Sequence, residues 1–239
     1  MNDLRLFSDT DALAQGAAAF IAQQASGQRR FSIALSGGST PRALYHVLAS
    51  PPFATHINWS QFHLFWGDER CVPPDHPDSN YRMAAETLIS HVALPPENIH
   101  RMFGERPPHE GASAYAAELR AFFGGLPHFD LVLLGMGNDG HTASLFPHTP
   151  ALHETTRWVV PNEAPVAPYG RLTLTAPVIN AASTVLFLIS GRTKAARLHE
   201  VLDGASDPQR LPAQMIHPVS GHIIWMVDAP AAQLLNPSP

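Results

Sequence analysis

The segment Phe129-Asp130-Leu131-Val132-Leu133-Leu134-Gly135-Met136-Gly137-Asn138-Asp139-Gly140-His141-Thr142 carries the strongest structural signal in the chain. Its continuous apolar run is typical of a strand buried on both faces of a parallel sheet. The glycines behind the run predict a tight turn at the carboxyl end of that strand. Because the turn holds Asp139 and His141, the segment predicts an acid–base pair at a sheet edge and an enzyme that acts on a small polar substrate.

The three glycines of this turn also spell G-x-G-x-x-G, the dinucleotide-binding pattern. Glu163 lies about 20 residues further on, where a ribose-binding acid is expected. The pattern requires a helix that opens at the third glycine. Pro147 and Pro150 interrupt the segment, and a proline inside a helix costs about 3 kcal/mol. We therefore expect neither a crossover helix nor a dinucleotide site here.

Composition limits the class of protein. The chain has 239 residues, 45% of them hydrophobic and 15% charged, which suffices for one large α/β domain or two small ones. The net charge of −5 provides no basic field for nucleic acid or anionic lipid. The single cysteine, Cys71, excludes an internal disulfide and suits a reducing compartment. With neither a secretory signal nor an apolar run of about 20 residues, we expect a cytoplasmic protein without nucleic-acid or membrane partners, either a monomer or a small homo-oligomer.

Apolar runs alternate with helical patterns along the chain. Strands are predicted near 31–35, 62–66, 130–134, 157–160, 171–175, 184–189 and 222–227, and helices near 9–25, 40–49, 79–90, 110–123 and 192–202. This alternation is typical of a doubly wound, mostly parallel α/β sheet, in which ligands bind beyond the carboxyl ends of the strands. No proline-rich loop has the character of a linker, so residues 1–239 are predicted to form a single domain.

A glycine loop, Ser36-Gly37-Gly38-Ser39-Thr40-Pro41, follows the predicted strand 31–35. Its two glycines allow a tight turn, and we expect Ser39 or Thr40 to cap a helix whose first position is Pro41. Free N–H groups, hydroxyls and the positive helix end suit a phosphate, although an ordinary strand–helix turn fits the residues equally well. No Gly-Lys-Ser/Thr follows, so the loop is not a nucleotide P-loop.

Charged side chains follow two more strands. In Gly67-Asp68-Glu69-Arg70 the arginine can clamp an anion through its fork, although a local salt-bridge cluster is an alternative reading. In Ser190-Gly191-Arg192-Thr193-Lys194 the lysine falls in the first helical turn, where the helix dipole favours acids. Its position favours a bound anion, with a solvated lysine as the alternative. Arg171 is a weaker candidate of the same kind. Fourteen scattered histidines single out no metal triad, whereas His141 stands apart because it lies in a glycine turn.

Taken together, these motifs resemble the 6-phosphogluconolactonase family over nearly the whole chain. The residues that carry the resemblance are 34–41, 66–70 with 78–81, 135–147, 171–175 and 191–194. The resemblance implies a sheet of modified Rossmann type, shared with hexosamine-phosphate deaminases, pentose-phosphate isomerases and CoA transferases. It also implies hydrolysis of 6-phosphoglucono-δ-lactone to 6-phosphogluconate in the oxidative pentose phosphate pathway, without an obligatory cofactor or metal.

The implied reaction suits the residues present. A δ-lactone is an activated ester, so a single general base that activates water is sufficient, and we expect this base to be His141 with Asp139 beside it. The developing oxyanion needs donors, which Arg70 and the N–H groups of the glycine turns can supply. The other residues expected to bind the sugar-phosphate lactone are Ser36, Gly37, Gly38, Ser39, Thr40, Asp68, Gly137, Arg171 and Lys194.

Two alternative functions have sequence features that argue against them. Hexosamine-6-phosphate deaminases and isomerases resemble the chain at the glycine loop and at Asp-Gly-His. Their motif continues with a glutamate where Phe146 stands here, and they usually have a tyrosine where Arg70 stands. A non-catalytic sugar-phosphate sensor would keep the phosphate loop but could dispense with the acid–base pair. The presence of both Asp139 and His141 therefore argues against a sensor.

Overall fold

A six-stranded parallel sheet forms the centre of the computed structural model, which describes residues 3–236. Numbered in chain order, its strands lie side by side as β1 (Asp3–Phe7), β9 (His222–Asp228), β8 (Thr184–Ile189), β5 (Leu131–Leu134), β2 (Phe31–Leu35) and β3 (Phe62–Trp66). Every residue of β2, β5 and β8 is buried, as expected for strands covered on both faces. The predicted doubly wound, mostly parallel sheet is confirmed. Residues 1–2 and 237–239 of the predicted domain lie outside the described part.

A second, smaller sheet, which the sequence analysis did not separate from the first, lies beside the parallel one. Its three antiparallel strands lie in the order β4 (Asp68–Arg70), β7 (Gly170–Leu174) and β6 (Val159–Glu163). The segments near 157–160 and 171–175 therefore do form strands, but outside the parallel sheet. Their sequences account for this, because β7 alternates polar and apolar residues and β6 contains Pro161, which fits an edge strand. The backbone N–H of Gly67 joins the sheets by donating to Leu35 O at 2.9 Å.

Helices cover the parallel sheet. Those between residues 3 and 236 are α1 (Thr10–Ala25), α2 (Ser39–Leu48), α3 (Phe53–His56), α4 (Asn80–Thr87), α5 (Pro108–Phe123), α6 (Ala176–Asn180), α7 (Ala195–Asp203) and α8 (Ala229–Ala232), besides short 3₁₀ turns. The five predicted helices are all present, within a few residues at each end. No helix in this part of the chain has both the length and the apolar character that a membrane crossing requires.

The segment after Gly140 forms turns instead of a crossover helix. Residues 141–149 contain only turns, irregular backbone and a short bridge between Thr142 and Leu145, and a 3₁₀ turn follows at Pro150–His153. The geometry that the dinucleotide pattern requires at its third glycine is therefore missing, as Pro147 and Pro150 predict.

The strand order reverses next to β2. Strand β3 follows β2 on one side, whereas β5 pairs with β2 on the other. Loops after such neighbouring strands diverge and leave a crevice between them, which is the usual ligand position in open α/β sheets. The glycine loop after β2, the glycine turn after β5 and the loop after β8 all open into this crevice.

Candidate active site

The turn Gly135–His141 is closed by its own backbone. The N–H of Gly137 donates to His141 O at 2.8 Å, and the N–H of Gly140 donates to Gly137 O at 3.1 Å. Gly140 has a φ of 85°, which an L side chain rarely adopts. A Cβ on Gly137 would lie 2.1 Å from His141 Nδ1, so no larger residue fits beside the imidazole. The glycines of G-x-G-x-x-G therefore allow the backbone of this turn to lie close to the imidazole of His141.

Asp139 and His141 form the predicted pair. Oδ1 of Asp139 lies 2.5 Å from His141 Nδ1 and accepts the backbone N–H of His141 at 3.1 Å. Burial opposes ionisation of the carboxyl, but the hydrogen bonds from His141 outweigh it and lower the pKa of Asp139. The carboxylate thus fixes the imidazole from behind, which leaves Nε2 for a substrate or a water molecule.

Phe146 forms an apolar wall beside this imidazole. It is 5% exposed, and its ring centroid lies 4.5 Å from that of His141. The guanidinium of Arg171 lies 5.9 Å from the centroid of the Phe146 ring. No carboxylate therefore stands at the position where the sequence of the deaminases has a glutamate.

Two arginines lie side by side on neighbouring strands of the small sheet. Arg70 and Arg171 are paired in the register of β4 and β7 and line the same cavity. Burial lowers the pKa of Arg171, and the positive charge of Arg70 lowers it further. Arg70 Nη1 donates to Asp78 O at 2.5 Å, whereas its buried Nε has no hydrogen-bond partner among residues 3–236. Two neighbouring cations that line one cavity favour the binding of an anionic or carbonyl oxygen there.

The acids of Gly67-Asp68-Glu69-Arg70 have different surroundings. Asp68 lines the cavity and accepts the hydroxyl of Ser144 at 2.6 Å, while Asn80 Nδ2 donates to Asp68 O at 2.9 Å. Glu69 points instead to the start of α4, where it accepts the backbone N–H groups of Asn80 and Tyr81 and the hydroxyl of Ser79. Burial raises the pKa of Glu69, although these N–H groups act against it. The motif therefore contributes one acid to the cavity and uses the other to hold α4.

The glycine loop lines the cavity, but its helix begins differently from the prediction. Helix α2 starts at Ser39 with Gly38, at a φ of 107°, in the capping position, and no side chain caps it. The prediction that Ser39 or Thr40 caps this helix is therefore wrong. Gly38 takes the capping position, because the backbone has a positive φ at that point and glycine adopts it readily. Because neither hydroxyl is used as a cap, both remain available to a ligand beside the N-terminus of α2.

Lys194 lines the same cavity as the glycine turn and is half-buried. Burial lowers the pKa of its ammonium group, and the charge of Asp139 acts in the opposite direction. The sequence has 15 basic residues, of which 14 are arginines, so Lys194 is the only lysine in the chain.

A cavity of about 330 Å³ brings the predicted residues together. Of the twelve site residues that sequence analysis selects, eleven line it, and Asp139 lies behind His141. Sequence reasoning missed some lining residues: Pro41, Asn80, Met136, Ser144, Val166, Leu188 and Ser190 are among them. Asn80 and Ser144 lie within the motifs that carry the resemblance, so their signal was present, whereas Val166 belongs to a loop without a motif. In the described part of the chain, no three His, Cys, Asp or Glu side chains converge as metal ligands.

An imidazole–carboxylate pair beside three cations, at the carboxyl ends of a parallel sheet, defines an α/β enzyme with a site for a small anionic substrate. A family model described as glucosamine-6-phosphate isomerases/6-phosphogluconolactonase matches residues 8–225. The chain belongs to this family.

Known proteins resemble the chain over most of its length. A 6-phosphogluconolactonase from Synechocystis sp. is 46% identical over 211 residues, which cover 86% of this chain and 85% of the relative. The solved structure of a 6-phosphogluconolactonase from Trypanosoma cruzi is 27% identical with a TM-score of 0.87, and the match covers 99% of this chain and 98% of that one. A monomeric glucosamine-6-phosphate deaminase, 23% identical with a TM-score of 0.83 over 97% of this chain and 99% of its own, shares the fold.

Proposed function

We propose that this enzyme hydrolyses 6-phospho-D-glucono-1,5-lactone to 6-phospho-D-gluconate, the second step of the oxidative pentose phosphate pathway. The observation that carries the proposal is the Asp139–His141 pair, held at 2.5 Å beside a cavity that Arg70, Arg171 and Lys194 also line. One base and several cations are the groups that hydrolysis of an anionic lactone requires.

In this proposal the substrate phosphate lies between the glycine loop and the basic side chains. Ser39 and Thr40 offer hydroxyls and N–H groups at the start of α2, and Lys194 and Arg171 supply the positive charge. Asp68 then accepts hydrogen bonds from sugar hydroxyls. Anchoring the phosphate away from the reacting carbon fixes the position of the lactone carbonyl relative to His141.

The chemical step begins when His141 Nε2 removes a proton from a water molecule that attacks the lactone carbonyl carbon. Asp139 stabilises the resulting imidazolium through Nδ1. The carbonyl oxygen becomes negative in the tetrahedral intermediate, and Arg70 together with backbone N–H groups of the turn at Gly137 stabilises it. Collapse of the intermediate breaks the bond to the ring oxygen, which leaves as a hydroxyl after taking the proton from His141.

Phe146 favours lactone hydrolysis over deamination. Loss of an amine with formation of a ketose needs further acid–base groups for ring opening and enolisation. The position beside His141 carries an apolar ring that is 5% exposed and cannot transfer protons. Hydrolysis of the lactone needs no group at that position.

We also propose that residues 1–239 act as a single domain in the cytoplasm and that the sugar-phosphate lactone is the partner the reaction needs. The glycine loop, the glycine turn and the small sheet each contribute to one cavity, so a cut between them would divide the site. Fractionation of the source cells, with the lactone-hydrolysing activity measured in each fraction, tests the compartment.

Phosphorus NMR tests the reaction directly. The lactone is generated in situ from glucose 6-phosphate, and its decay is recorded in buffer, with the protein and with His141→Ala. We expect the protein to accelerate the decay and His141→Ala to lose about 10²–10⁴-fold of the effect, as is typical for removal of a general base. His109→Ala, an exposed histidine on α5, is the matched control and should keep full activity. Decay no faster than in buffer contradicts the proposal, and release of ammonia from glucosamine 6-phosphate would identify the deaminase instead.

A further inference from the structure

The turn Gly135–His141, called the catalytic turn below, is contacted on its outer side by Arg197, which is not among the cavity-lining residues. Arg197, on α7, donates from Nε to the backbone carbonyl of Asn138 at 2.9 Å. Asn138 immediately precedes Asp139, so this contact holds the peptide unit from which the orienting carboxylate projects. The stem of Arg197 also packs against Gly140, since its Cδ lies 3.4 Å from the position of a Cβ on that glycine.

Arg197 is itself held in place. Its Nη1 donates to Glu200 Oε2 at 2.8 Å, and the same oxygen accepts Nη1 of Arg210 at 2.5 Å. Gln214 Nε2 lies within hydrogen-bond distance of the backbone carbonyl of Glu200. A network of this kind fixes a long side chain that would otherwise sample many rotamers.

The segment 205–215 adds a second attachment of the same turn. The backbone N–H of Ala213 donates to Gly140 O at 2.9 Å, and Leu211 packs close to Gly140. Helix α7 and this segment therefore hold both ends of the Asn138–Gly140 stretch from outside. The inner side of the stretch carries the Asp139–His141 pair.

We infer that Arg197, fixed by Glu200, is a positioning residue that keeps the catalytic turn in the geometry in which Asp139 contacts His141. The inference rests on the proposed lactone hydrolysis and deepens it. Loss of the Nε donor releases the Asn138 peptide, so Asp139 no longer faces His141 Nδ1 in a fixed way. Substrate binding should be unaffected, because the described hydrogen bonds of Arg197 go to Asn138 and Glu200 and to none of the residues assigned to the phosphate. Small misplacements of catalytic groups reduce rates strongly.

The test compares Arg197→Leu, Arg197→Lys and the wild type by phosphorus NMR. We expect Arg197→Leu to lower kcat about tenfold with an unchanged KM, and Arg197→Lys, which keeps a donor and the charge, to stay within about threefold of the wild type. Arg82→Leu is a matched control, since Arg82 also pairs with a glutamate on its own helix, Glu86, and donates to a loop carbonyl, that of Asp75. If Arg82→Leu lowers kcat as much as Arg197→Leu does, the inference is overturned.

A second measurement does not depend on activity. In protein with ¹⁵N-labelled histidine, the Nδ1 proton of His141 is assigned by its disappearance in His141→Ala. We expect its downfield resonance to be lost in Arg197→Leu and kept in Arg197→Lys and Arg82→Leu. If the wild type does not hydrolyse the lactone, the proposed function fails and this resonance alone decides on the positioning role.

Two outcomes would overturn the inference. One is an Arg197→Leu protein with wild-type kcat and an unchanged resonance, and the other is a loss that falls on KM instead of kcat. If Arg197→Leu does not fold, Glu200→Ala decides, because it leaves the arginine but removes the oxygen that anchors it. We then expect kcat to fall by more than about threefold, and a kcat within about threefold of the wild type would overturn the inference.

Discussion

Replacement of Asp139 by asparagine isolates the charge of the orienting carboxylate. The amide keeps an oxygen that can accept the backbone N–H of His141, which Asp139 Oδ1 accepts at 3.1 Å, so the turn should survive. The contact to Nδ1, at 2.5 Å, loses its negative partner just as the imidazole becomes positive in the reaction. The substitution therefore acts on the transition state and not on the fold.

The size of the effect follows from this one contact. A hydrogen bond to a charged group is worth about 1.5–3 kcal/mol. Because each 1.36 kcal/mol corresponds to tenfold in rate, we expect kcat to fall about 10- to 150-fold. KM should change little, since Asp139 does not line the cavity. Phosphorus NMR of the lactone decay at several substrate concentrations gives both constants.

Asp9→Asn is the control for this substitution. Asp9 also accepts a backbone N–H, that of Ala12 at 2.8 Å, and it lies at the exposed start of α1, away from the cavity. It should leave kcat unchanged. A folded Asp139→Asn protein with kcat within about threefold of the wild type, or with its defect in KM, would refute the argument that the pair acts in the chemical step.

Four further predictions concern other parts of the molecule. Gly137→Ala should lower kcat at least about 100-fold with an unchanged circular dichroism spectrum, because the added Cβ displaces the imidazole from its carboxylate. Lys194→Met should raise KM by about 10- to 150-fold and change kcat far less, since it removes a charge proposed to hold the phosphate. Backbone N–H groups of residues 157 and 156 hold the pKa of Glu154 at about 2, so its ionised form stabilises the fold above about pH 4.5 and this advantage disappears as the pH falls towards 2. Glu154→Gln should therefore lower the unfolding temperature by about 2–4 °C at pH 7, and the difference should vanish in acid. Burial raises the pKa of the Cys71 thiol, so its alkylation at pH 7 should be slow and Cys71→Ala should keep kcat within about twofold.

The strands whose bounds the sequence predicts best are mostly apolar. Residues 31–35, 62–66 and 184–189 have the predicted bounds in the structure. Strand β4, with the sequence Asp-Glu-Arg, has no apolar pattern, and β1 is a short edge strand near the N-terminus, so neither is predicted. The division into two sheets depends on pairing between segments about 100 residues apart, which a local pattern does not contain.

The residues that sequence reasoning selected lie together because they follow strand ends. A parallel sheet brings its carboxyl ends together, so residues after β2, β5 and β8 had to meet. The contact of Arg197 with Asn138 and that of Ser144 with Asp68 join segments 59 and 76 positions apart. Such contacts depend on side-chain packing across elements and have no local signal.

Because Lys194 is the only lysine in the chain and lines the cavity, the protein is convenient for amine chemistry. Apart from the α-amino group of the chain, Lys194 is the only primary amine that an acylating reagent can modify. Modification of that one side chain would remove a positive charge from the cavity, and the mass of the peptide that contains Lys194 would report directly on the state of the site. Sugar phosphates that occupy the cavity should protect this amine, which allows their binding to be ranked by mass spectrometry without any turnover. Attachment to an amine-reactive surface carries the corresponding risk of blocking the pocket.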